Sequence, residues 1–73
     1  MNERILNKIP RATLSRLEDY VKLAHIGANV DYCSGKIATA CSVLYDCGFL
    51  TMAERAEVSR YFRTLAKEGD AEA

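Results

Sequence analysis

One histidine, three cysteines and ten carboxylates carry most of the chemical potential of this 73-residue chain. His25 has no serine or cysteine partner in an identifiable motif, and a lone helical histidine is an ordinary surface or boundary residue. Cys33, Cys41 and Cys47 are separated by eight and six positions. A zinc site needs ligands that converge, as in Cys-x-x-Cys or His-x-x-x-His steps, and neither interval is of that kind. The thiols therefore read as buried and inert. Glu18 with Asp19, and Glu54 with Glu57, are the carboxylate pairs available for acid–base work. Such work needs a pocket that shifts a pKa, and short helices with small side chains leave little volume for one. Solvated helix faces account for these acids. The expectation is a protein with no catalytic residues, no metal ligands and no cofactor.

A chain of this length is one domain, 1–73, near the lower limit for a lone hydrophobic core. Hydrophobic residues make up 49%, a globular value, yet tryptophan is absent and phenylalanine occurs twice. Alanine and cysteine supply much of the apolar content, so the core is built from small side chains. Ordering the chain costs about 1.5 kcal/mol per residue, which such a core offsets poorly. Burial against a second copy or a partner would make up the difference, so a homodimer or an obligate binder is expected. Ten basic and ten acidic residues cancel. Nucleic-acid binding usually shows as basic excess, because phosphate neutralisation supplies most non-specific affinity. An odd cysteine count, no apolar leader in MNERILNKIPR and no apolar run of about 20 residues point to a reduced, cytoplasmic setting without a membrane span.

The most apolar stretch, Ile37 to Leu50, reads IATACSVLYDCGFL and predicts a buried helix stopped by Gly48. Thr51 with Glu54 three residues later predicts a capping box opening another helix, which buries Val58, Phe62 and Leu65 and ends at Gly69. Phe49 or Leu50 would staple that turn. Upstream, Leu14, Leu17, Val21, Ala24 and Ala28 recur at alternating steps of three and four, an amphipathic helix period opened by Pro10 or Arg11. Between these helices, Gly27 to Gly35 is a poor helix former, with Asn29, Asp31 and Ser34 as candidate N-caps. The expected architecture is thus all-α, about three helices, with residues 1–9 as an N-terminal arm and 70–73 as a frayed tail. A competing pattern runs through Leu23, Ile26, Val30, Cys33, Ile37, Ala40, Leu44 and Cys47, all apolar at heptad-like spacing. It describes a helical hairpin with one long helix, 11–47, forming a dimer seam.

What remains is surface. Arg60, Arg63 and Lys67 fall on one face of the last helix, and Tyr61 belongs to a residue class favoured at interface centres. Ile5, Leu6 and Ile9 have no obvious place in a three-helix core and are expected to grip a second subunit or a target. These seven residues are the expected partner-binding set. They describe a small regulator or inhibitor that occupies another protein's surface, in the manner of a phage- or plasmid-borne accessory factor. The alternative is a DNA-binding regulator using the last two helices as a helix-turn-helix. Against it, Glu54 and Glu57 sit in the turn that would meet phosphate, and Leu44 stands where a small residue is wanted.

Overall fold

The turns between the three long helices fall at residues whose chemistry specifies the boundary. The computed structural model describes residues 1–72, with side chains through Glu68. It holds four helices: α1 Glu3–Leu6, α2 Arg11–His25, α3 Val30–Asp46 and α4 Met52–Glu72. The all-α expectation is borne out, with α2, α3 and α4 as the three helices read from the sequence. The N-terminal arm adds a fourth, single-turn helix.

The two inter-helix turns share one mechanism. Gly27 and Gly48 adopt φ of 104° and 85°, the left-handed region that a Cβ disfavours. At the first turn Ala28 N–H donates to Leu23 O and Gly27 N–H to Ala24 O. At the second, Phe49 N–H donates to Leu44 O and Gly48 N–H to Tyr45 O. These paired bonds satisfy carbonyls that a helix end would otherwise leave open. The new helices are opened by side chains. Asn29 accepts from Tyr32 N–H at 2.9 Å, so Asn29, not Asp31 or Ser34, caps α3. The capping box on α4 is complete: Glu54 N–H donates to Thr51 Oγ1 at 3.1 Å, and Thr51 N–H to Glu54 Oε1 at 2.9 Å.

The long-helix alternative across 11–47 is therefore corrected. A left-handed glycine and a side-chain cap lie between α2 and α3, and the heptad-like stripe is cut there: Ile26 is 80% exposed. The stop at Gly69 is also corrected, because α4 runs through it to Glu72. Gly27 and Gly48 each precede chain that folds back onto the bundle, whereas the described residues after Gly69 continue the helix. Of the tail expected to fray, residues 70–72 are helical and Ala73 lies outside the described residues.

α2, α3 and α4 run up, down and up. Residues 27–31 at the start of α3 border Lys67, and Arg55 at the start of α4 lies over the Tyr45 ring at 5.2 Å, so α3 and α4 are antiparallel along their length. The core is one cluster: Leu17, Val21 and Ala24 from α2, Cys33, Ile37, Cys41 and Leu44 from α3, Val58, Phe62 and Ala66 from α4, closed by Ile9 and Leu50. Leu50 rather than Phe49 fills the turn, and Leu65 is only half-buried. Replacing Ile37, which is fully buried, with alanine is expected to cost about 2–5 kcal/mol, a large part of the stability of so small a domain. Thr51→Ala removes one cap and should cost about 1 kcal/mol. Urea unfolding followed by circular dichroism checks both; equal losses from the two would mean the core is less tightly packed than described.

Candidate interaction surface

The outward side of α4 carries Arg60, Arg63 and Lys67, all exposed. Their steps of three and four keep them on one stripe, as the sequence predicts. Tyr61 lies apart from them. It faces α2, where it lines an apolar groove of about 310 Å³ with Leu6, Leu14, Val21, Phe62 and Leu65. Its ring meets Phe62 edge-on at 5.1 Å. The structure thus keeps the basic stripe together and places Tyr61 on the other flank of the helix.

The N-terminal arm is docked, which corrects its reading as a free gripping segment. Ile9 is 5% exposed and belongs to the core, while Ile5 and Leu6 are half-buried against it. Asn2 makes this possible by accepting from Arg4 N–H at 2.8 Å, which starts α1. Lys8 then clamps the arm onto α4: its Nζ lies 2.6 Å from Glu54 Oε2. At the opposite end of the bundle, His25 Nε2 lies 2.8 Å from Leu65 O, the geometry of an imidazole N–H donating to that carbonyl. His25 and Glu54 thus each tie α4 to an earlier part of the chain.

Glu54 shows how the clamp titrates. The hydrogen bond from Lys8 is the largest influence, followed by the Thr51 backbone N–H, and together they hold its carboxyl below the ordinary glutamate range. A depressed folded-state pKa contributes stability that is present above the unfolded value and is lost as pH falls through the folded one. Stability should therefore decline on acidification below the ordinary glutamate range. Glu54→Gln should lower stability at neutral pH and flatten that acid decline, as read from denaturation midpoints at pH 7 and pH 3.

The cysteines divide. Cys33 and Cys41 are fully buried, and burial pushes the Cys41 thiol up to about 11 against the opposing pull of Arg63 and Arg55. Cys47 is exposed at the end of α3, which corrects its reading as a buried thiol. Among the described residues no disulfide forms, and no three His, Cys, Asp or Glu side chains converge on a metal position. A thiol-specific chromogenic reagent at pH 8 should label one cysteine per native chain rapidly and all three after unfolding. Rapid labelling of more than one in the native state would contradict the burial described.

Large apolar side chains are left outside at both ends of the bundle. Leu23 and Ile26 sit at the α2–α3 turn, 40% and 80% exposed. Val43, Phe49 and Met52 sit around the α3–α4 turn, 53%, 46% and 60% exposed. None of the helices is long and apolar enough to cross a membrane. Compared with protein-family models, curated proteins and solved structures, the chain shows no significant match.

Sequence reasoning missed Arg55. The residue is half-buried where the sequence shows only a helical arginine after the cap. Its position opposite Tyr45 depends on how α3 crosses α4, which no local pattern encodes. The i to i+8 spacing of Arg55 and Arg63 was the signal available.

Proposed function

We propose that this protein is a small non-enzymatic regulator or inhibitor that works by binding another protein and covering part of its surface. The observation that carries this reading is the exposure of Leu23, Ile26, Val43, Phe49 and Met52 at the two turns. Exposed apolar side chains beside polar and basic neighbours have the composition of an interface core with its rim. The stripe of Arg60, Arg63 and Lys67 runs along the second half of α4 for about 10 Å at 1.5 Å per residue. A partner covering either turn would bury apolar side chains, and one laid along α4 would meet the basic stripe as well. A second copy of the chain is one such partner, and association would bury surface that the small core leaves uncovered. The proposed setting is the cytoplasm, where the exposed Cys47 stays reduced.

The DNA-binding alternative draws less support. A helix-turn-helix sets its two helices at about 90–120° so that the second enters a groove by its first turn. Here α3 and α4 lie antiparallel along their length, and the first turn of α4 presents the Glu54 carboxylate already engaged by Lys8.

Affinity capture of the tagged protein from source-cell lysate, with and without nuclease, separates the two. The expected result is one stoichiometric protein that survives nuclease and is lost from Arg60→Glu/Arg63→Glu. Partners that vanish with nuclease would sink the reading in favour of nucleic acid. Retention of the partner by the charge-reversed variant would remove the α4 stripe from the interface.

A further inference from the structure

The α3–α4 groove is the polar counterpart of the apolar groove beside Tyr61. It is lined by Ala38 and Ser42 from α3 and by Arg55, Ala56, Ser59 and Arg63 from α4, and encloses about 320 Å³. That is the lower end of the range for small-ligand sites. Arg55, Ser59 and Arg63 recur every four residues, which puts both guanidiniums on the same side of α4 as the Ser59 hydroxyl. Ser59 is 8% exposed, the buried polar residue of the core.

Both arginines are held in ways that leave donors unused. Arg55 holds its guanidinium carbon 5.2 Å from the centre of the Tyr45 ring, and among the described residues its N–H groups donate to no side chain. Arg63 is anchored by Nε donating to Ser59 O at 3.3 Å, so its terminal Nη groups stay available. Neither forms an ion pair among the described residues, where the one salt bridge is Lys8 with Glu54. One turn before Ala38 on α3, the Ser34 hydroxyl is buried without a hydrogen-bond partner. The groove therefore combines two preorganised guanidiniums, small walls and serine hydroxyls, with no acid of its own.

We infer that this groove is an oxyanion site that receives a carboxylate from an acidic segment of the partner protein, a statement that rests on the protein-binding reading above. Arginine suits the role because its planar fork donates two parallel hydrogen bonds to a carboxylate, and Ser42 and Ser59 add neutral donors. Ala38 and Ala56 keep the walls low enough for a side chain to enter. A protein of zero net charge would thus bind acidic chain by a local concentration of positive charge.

The test is a nitrogen-15 NMR titration of the full chain with a short poly-glutamate peptide, following backbone amides and the arginine Nε–H signals. Inorganic phosphate and duplex DNA serve as parallel probes. The peptide should shift Arg55, Ser59 and Arg63 together, and Arg55→Gln/Arg63→Gln should weaken it about tenfold or more, the loss expected for charged hydrogen bonds. Arg63→Gln alone, at an exposed position that leaves the Arg55–Tyr45 stack intact, provides the same test should the double variant fail to fold. Peptide shifts confined to other residues, or unchanged affinity in either variant, would overturn the site. Phosphate binding as tightly as the peptide, or DNA shifting the same signals more strongly, would overturn the assignment to an acidic protein segment. Lysate capture separates the two levels of the proposal. A partner captured equally by wild type and the double variant removes the groove and leaves the protein-binding reading standing. Capture of no protein by wild type removes that reading, and the partner's carboxylate with it, even where the peptide binds.

Discussion

The structure depends on how closely three helices can approach along the buried side of α3. Cys33, Ile37, Cys41 and Leu44 form that side, and the first three are fully shielded from solvent. Two thiols in a row of four keep α3 thin, so that a chain with no tryptophan and two phenylalanines can still close a core between three helices. Packing at interior density rewards matched volumes more than large ones. The small side chains that make the composition look weak are what allow α2 and α4 to meet each other as well as α3. The same economy leaves larger apolar residues outside at the turns.

Much of this architecture is readable in the sequence because it is specified locally. Thr51 and Glu54 satisfy two backbone donors within four residues, and no distant contact alters that arithmetic. Gly27 and Gly48 stop helices because left-handed backbone is cheap for them and for little else. Gly69 has the same local freedom, yet α4 passes through it: a glycine permits a stop and does not impose one. The distinction is tertiary and invisible in residue type.

The surface was harder to read for the same reason. Arg60, Arg63 and Lys67 share a stripe by helical periodicity alone, so they could be placed together. Ile5, Leu6 and Ile9 look surplus in a list of helices, but Ile9 packs into the core and the Lys8–Glu54 contact ties the arm to α4. Arg55 becomes distinctive only when Tyr45 of the preceding helix comes beneath it. Histidine and cysteine attract notice by their chemistry, and here His25 and Cys41 are structural. The arginines beside Cys41 define the polar groove.

The two contacts that join α2 and its approach to α4 sit at opposite ends of a molecule about 35 Å long. Lys8 meets Glu54 at one end and His25 meets Leu65 at the other, while Leu6 of α1 lies in the groove beside Tyr61 and Leu65. Tension along the shared axis of α2 and α4 would slide two parallel helices past each other instead of peeling them apart, loading many side-chain contacts at once. A partner holding one end while the other is tethered would find the domain a stiff strut along that axis. Pulled sideways at α1, the same domain would yield one contact at a time.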